Sequence, residues 1–201
     1  MTVARSGDTA IVVDTTGPSD STAGVVTHYE VGTDSLALRL DSVGPLVTAG
    51  SDIAALRAQG LVVPVAGIAA KDLVDSFDDK RGGSRQHNAI DIMAARNTPA
   101  VAATDGSIAK LHNSNAGGLT IYMKDRTGRF MLMYGHLDSY RPGLTEGAPV
   151  RRGEIIGFVG STGNANPLAP HLHFQVMRID NPKDWWRGTP LNPFLIYRPA
   201  E

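Results

Sequence analysis

The chain has 201 residues, 42% of them apolar, which is enough for one domain with its own core, with or without an extension. Its 19 Lys and Arg against 20 Asp and Glu leave a formal charge of −1, so nothing in the balance draws it to nucleic acid or acidic lipid, and no nucleic-acid partner is expected. Cysteine is absent, which excludes disulfides, cysteine-bound iron–sulfur clusters and thiolate zinc sites. A metal here would have to be held by histidine and carboxylate.

The opening MTVARSGDTAIVVDTTGPSDSTAGVV lacks the basic start and continuous apolar run of a secretion signal. No stretch reaches the roughly 18 apolar residues of a membrane span. Residues 1–60 read as an N-terminal extension or cap. AIVVD, GVVTHYEV and SLALRL are predicted strands and TTGPSDSTAG a loop. SDIAALRAQG, residues 51–60, is predicted as a short helix begun by Ser51 and Asp52 and stopped by Gly60.

From Leu61 to the end the pattern changes to short apolar runs separated by DG, GG and TG signals. PAVAA, SIAKL, LTIYM, FMLMYGHL, IIGFVG and HLHFQVMRI have strand length, and several alternate in polarity. Residues 61–201 are therefore expected to form a compact all-β domain with an antiparallel or mixed sheet. Asp105-Gly106 and KDRTG mark turns between strands. The tail NPKDWWRGTPLNPFLIYRP, rich in Pro and aromatics, is expected to wrap back on the domain rather than add a regular strand.

Six histidines occur, and four of them lie in segments whose spacing points to chemistry. In PHLHF, strand geometry directs His171 and His173 to one face, about 7 Å apart, and Leu172 and Phe174 to the other. One imidazole can then bind a metal while the other addresses whatever that metal holds. In QHNAIDIMA, Ile90 and Ile92 read as the core-facing pair, with Asp91 opposite. A fully extended run would separate His87 from Asp91 by roughly 13 Å, so His87 is expected on a bend before the strand. These two with one histidine of PHLHF would make a three-ligand site whose fourth position is open to water, the pattern of catalytic rather than structural zinc. His136, in YGHLD, gains meaning only by converging on that site in space. His28 and His112 read as background. The glycines of GEIIGFVGSTGN match neither GxGxxG nor GxxxxGK[ST] and are read as turns and close sheet contacts.

Together, LVVPVAG, HNAID, TPAVAATDGSI, YGHLD, GAPVRRGEIIGFVGSTGN and HLHF, in this order between about Leu61 and Pro193, resemble the M23 peptidase family, the LytM or lysostaphin-like domain. The resemblance implies a β-sheet fold with one zinc ion at the floor of a groove. It implies His87, Asp91 and His173 as metal ligands, and His136 and His171 as catalytic histidines that do not bind metal. It further implies hydrolysis of peptide bonds in peptidoglycan crosslinks or stem peptides by a monomeric protein of the cell envelope, periplasmic or secreted, whose targeting segment has been removed. The alternative within the same family is a non-enzymatic domain that binds peptidoglycan and activates a partner amidase. Two departures stand out: Ala89 replaces the glycine of the family's HxGxD motif, and the loop NANPLAP is slightly long. Tyr134, Tyr140 and the loop from Asn164 to Ala169 are candidate groove walls.

Overall fold

In a computed structural model, residues 2–6, 9–13, 45–83, 85–181, 183 and 186–198 are described. GVVTHYEV and SLALRL, and with them His28, lie outside the described residues. The chain divides into two compact units, Met1–Thr48 and Ala49–Glu201. In the first, β1 (Thr2–Ser6) pairs antiparallel with β2 (Thr9–Val13), so β2 takes in most of the predicted AIVVD strand.

Helix α1 runs from Pro45 to Ala58, beginning earlier than Ser51 and Asp52 had indicated. Proline fits the first turn of a helix because its missing N–H has no partner to lose there. Gly60, at φ +66°, ends the segment as predicted. Asp52 is not a cap. Its buried carboxylate accepts from Arg129 Nη2 and Arg178 Nη1, each at 2.9 Å, tying the helix to the sheet. Ile53 and Leu56 of the helix enter the apolar core.

The second unit is built on a nine-stranded sheet. Its strands are β5 (Ile90–Met93), β6 (Pro99–Val101), β7 (Gly106–Ser114), β8 (Gly118–Asp125), β9 (Phe130–Tyr140), β10 (Pro149–Val150), β11 (Ile155–Val159), β12 (His171–Arg178) and β13 (Thr189–Leu191). The order is β10-β7-β8-β9-β11-β6, with β12 also beside β9, β5 and β13, and every pairing is antiparallel. A separate two-stranded ribbon, β3 (Lys80–Arg81) with β4 (Arg85–Gln86), precedes it. All six strand segments predicted after Leu61 are present. The tail corrects its expectation: Thr189–Leu191 does add a strand, paired with β12, before helix α2 (Pro193–Tyr197), which Asn192 caps by accepting from Phe194 N. The turn at KDRTG forms because the Asp125 carboxylate accepts from Thr127 N, Thr127 Oγ1 and Phe130 N.

Strand β9 organises the sheet. One edge of it pairs with β8, while the other changes partner along its length, from β12 over Phe130–Gly135 to β11 over Leu137–Tyr140. His136 sits at that changeover. The core on one side of this region contains Ile90, Ile121, Leu132, Tyr134, Leu137, Leu172 and Phe174, all fully buried. Tyr134 is thereby a core residue, not a groove wall: its hydroxyl accepts from Ala103 N at 2.9 Å. Tyr140 does not line the site cavity either, and its hydroxyl donates to the carbonyl of His112 at 2.7 Å.

Candidate active site

Antiparallel pairing of β5 with β12 sets Asp91 directly opposite His173. The alternation that buries Ile90, Ile92, Leu172 and Phe174 in the core turns Asp91, His171 and His173 to the other face. His87 precedes β5 on a bend through Asn88, whose φ of +56° is one that asparagine tolerates better than most residues. Backbone bonds from His87 N to Asp79 O and from Asn88 N to Phe77 O pin that bend. Ser76 supports it twice: its carbonyl lies 2.9 Å from His87 Nδ1, and its hydroxyl accepts from Asp91 N.

A carbonyl oxygen can only accept, so His87 Nδ1 carries the ring proton and Nε2 presents a lone pair. That Nε2 is 3.0 Å from Asp91 Oδ1 and 3.0 Å from His173 Nδ1. Asp91 Oδ1 and His173 Nδ1 are 3.3 Å apart. Ligands about 2.0 Å from a tetrahedral zinc ion lie about 3.3 Å from one another. The three donors are thus spaced as a zinc-sized cation needs, and His87, Asp91 and His173 could hold a metal ion. Burial opposes ionisation of Asp91, but the close approach of the His173 and His87 imidazoles outweighs it and holds the carboxyl far below the usual carboxylate range. Burial lowers the pKa of His173, which favours the neutral, ligating ring.

His136 reaches the same place by an irregular route. Regular alternation would put residues 134 and 136 on one face, yet Tyr134 and Leu137 both pack in the core. The register of β9 against β8 shifts between these positions, and His136 adopts φ +58°. The bulge turns its side chain toward the histidines of β12. Its ring centroid lies 5.0 Å from that of His171 and 5.6 Å from that of His173. His136 Nδ1 is 2.8 Å from Thr162 O, and His171 Nδ1 is 2.9 Å from Ala169 O. By the same acceptor argument both rings keep Nε2 unprotonated when neutral. His171 Nε2 lies 3.8 Å from Asp91 Oδ1. Burial is the main force lowering the His136 pKa, against the bond to Thr162.

The loop carrying the Thr162 carbonyl is fixed by close backbone contact. Gly163, at φ +74°, faces Gly118 N and leaves no room for a side chain. Arg96 braces the same loop, reaching Asp138 Oδ1 and Ser161 Oγ at 2.5 Å each. These glycines are turns and close contacts, as read from the sequence.

A cavity of about 540 Å³ opens over the five residues, lined also by Arg81, Arg85, Met93, Asn164, Asn166 and Ala169. The NANPLAP loop is therefore one wall. Ala89 is fully buried and is not among the residues with positive φ, so its methyl group costs no backbone strain. His112 lies on β7 and does not line the cavity. Sequence reasoning missed the Ser76 hydroxyl and the backbone carbonyls of Ser76, Thr162 and Ala169; carbonyls leave no trace in side-chain identity. It also missed Arg81, whose Nη2 sits 2.5 Å from Asp91 Oδ2.

A sequence profile of peptidase family M23 matches residues 85–193, more than half of the chain. This protein belongs to peptidase family M23. The M23 region is similar to the DD-carboxypeptidase/endopeptidase Mpg of Neisseria meningitidis serogroup B, with 36% identity over 116 residues, 58% of this chain and 24% of that protein. It is also similar to the glycyl-glycine endopeptidase ALE-1 of Staphylococcus capitis, at 37% over 92 residues, 45% of this chain and 24% of that one. The chain thus spans about a quarter of the length of these relatives. Among solved structures, the catalytic domain of lysostaphin from Staphylococcus simulans aligns with a TM-score of 0.52 and 30% identity, covering 62% of this chain and 89% of that one. The all-β, lysostaphin-like fold is thereby shown for the M23 domain, which belongs to a family of peptidases. Among the described residues, no helix is long and apolar enough to cross a membrane.

Proposed function

We propose that the chain is a zinc endopeptidase of the bacterial cell envelope that hydrolyses peptide bonds in peptidoglycan crosslinks or stem peptides. The observation that carries this reading is the convergence of His87 Nε2, Asp91 Oδ1 and His173 Nδ1 within 3.3 Å of one another, beside two further imidazoles that do not join them. Three ligands leave a tetrahedral ion with an open position, the arrangement of catalytic zinc. When bound, zinc would polarise the scissile carbonyl and lower the pKa of a water from about 15.7 toward about 7.

The chain's own residues supply the proton handling. With Nδ1 bound to Thr162 O, His136 offers Nε2 as an acceptor, and its lowered pKa keeps the ring neutral near pH 7. It takes a proton from the attacking water and returns it to the leaving amine. His171, held through Nδ1 on Ala169 O with Nε2 toward Asp91, donates in its cationic form, with both ring nitrogens protonated, to the charge that builds on the carbonyl oxygen. The open cavity admits an extended peptide, and its wall of Asn164, Ala165 and Asn166 offers polar groups to that backbone.

The test is mass spectrometry of purified crosslinked peptidoglycan after digestion, with a chelator-treated sample and the His171→Ala variant as controls. Metal-dependent release of newly cut peptides is expected, and the fragment masses identify the bond. His87→Ala should lose metal and activity together, whereas His136→Ala and His171→Ala should keep metal and lose turnover. No cleavage by protein carrying one zinc per chain would exclude the peptidase reading in favour of a non-enzymatic activator.

A further inference from the structure

We propose that Arg81 is a positioning residue that keeps Asp91 a one-oxygen ligand and so keeps the metal's remaining coordination position free. The inference rests on the metal-centre reading above and concerns how that centre stays open.

The two oxygens of Asp91 have separate surroundings. Oδ1 faces His87 Nε2 at 3.0 Å and His173 Nδ1 at 3.3 Å. Oδ2 accepts from Arg81 Nη2 at 2.5 Å. A carboxylate beside a metal can ligate through one oxygen or both. Rotation of the Asp91 carboxylate into a two-oxygen mode would occupy space that an attacking water or a substrate carbonyl needs. A charge-assisted hydrogen bond on Oδ2 opposes that rotation, and a guanidinium holds its charge at every working pH. Partners of this kind orient metal ligands throughout protein metal sites.

The fold aims Arg81 at this task. It sits on β3, paired with Arg85 of β4, and the chain turns after it through Gly82 and Gly83, both at positive φ. Its Nη2 also lies 3.2 and 3.3 Å from the two ring nitrogens of His87, so one group borders two of the three proposed ligands. Its Nε is buried with no hydrogen-bond partner, a cost borne while Nη2 serves Asp91.

The experiment loads the full chain with Co²⁺ and compares wild type, Arg81→Met and Arg81→Lys. Cobalt content is read by elemental analysis and coordination by visible absorption, which is much stronger for four-coordinate than for five- or six-coordinate cobalt. Arg81→Met is expected to retain one cobalt per chain with clearly weaker absorption. In the zinc form its kcat should fall about 10- to 100-fold with KM little changed. Arg81→Lys, which restores a donor to Oδ2, should recover part of both. An unchanged spectrum and kcat in Arg81→Met, with wild type binding one cobalt, would overturn the proposal alone. Wild type that takes up no cobalt or zinc would instead overturn the metal-centre reading beneath it.

Discussion

Gly163→Ala tests whether the site depends on the loop that holds His136. Gly163 has φ +74°, and an added Cβ would lie 2.6 Å from Ala116 O, 2.9 Å from Gly118 Cα and closer still to Gly118 N. An L-residue in this conformation costs roughly 1–2 kcal/mol. All the neighbours met are backbone, so the collision can be relieved only by moving the loop. That displaces the Thr162 carbonyl, which lies 2.8 Å from His136 Nδ1, and forfeits a further ~1 kcal/mol of hydrogen bonding. The sum, about 2–3 kcal/mol, lowers Tm by roughly 4–12 °C for a domain of this size. Without its carbonyl partner His136 loses the preference that leaves Nε2 unprotonated, so kcat should fall at least tenfold while zinc content stays at one per chain. Thermal unfolding, elemental analysis and peptide-release kinetics read the three quantities. Gly143→Ala is the control: φ is +76° but nothing lies within 4 Å of the new methyl, so it should lose only the backbone term and keep kcat. If Gly163→Ala matched Gly143→Ala in both Tm and kcat, the loop would have no part in holding His136.

The pH dependence of kcat/KM provides another check. His136 must be neutral to accept a proton, and burial lowers its pKa from 6.5, so activity should rise with pH through a midpoint below 6.5. An acid limb centred above 6.5 would remove His136 as the base. Asp52→Ala should destabilise the fold by roughly 1–3 kcal/mol, the range for charge-assisted hydrogen bonds after allowance for the half-exposed Arg129. The site lies elsewhere on the sheet, so zinc content and kcat should not change. Denaturant unfolding reads the first effect, and a loss below 0.5 kcal/mol would show that the Asp52 pairs contribute little.

How much of this was legible beforehand depended on whether a signal was periodic. HLHF reads correctly because two-residue alternation in β12 is regular and its apolar partners Leu172 and Phe174 are both fully buried. His87 was placed on a bend because an extended chain could not bring it to Asp91, and Asn88 supplies that bend. His136 could not be placed by pattern, since its orientation comes from a bulge at the point where β9 changes partners. Tyr134, named as a wall, instead continues the buried alternation of Phe130 and Leu132, and the bulge that follows it lets His136 face the site from the same strand. The start of α1 was misread for a different reason. Ser51-Asp52 has the composition of a helix cap, and only the two arginines that approach from β9 and β12 or their edges reveal Asp52 as a buried anchor. Arg81 carries no local pattern, and its place beside Asp91 depends on a hairpin meeting a strand ten residues later.

The segment between Thr162 and Ala169 is gripped at both ends by what it does for the histidines. Thr162 O holds His136 and Ala169 O holds His171, while the stretch between them contributes Asn164, Ala165 and Asn166 to the cavity wall and leaves Leu168 93% exposed. Because both grips are backbone carbonyls, the side chains of Asn164, Ala165 and Leu168 can change without altering either contact, whereas Asn166 fixes the turn by accepting from Leu168 N through Oδ1. Substrate preference and proton chemistry are thereby separable within a single short loop. Libraries randomised at 164, 165 and 168 could retarget the peptide that is cut while the two imidazoles stay where they are.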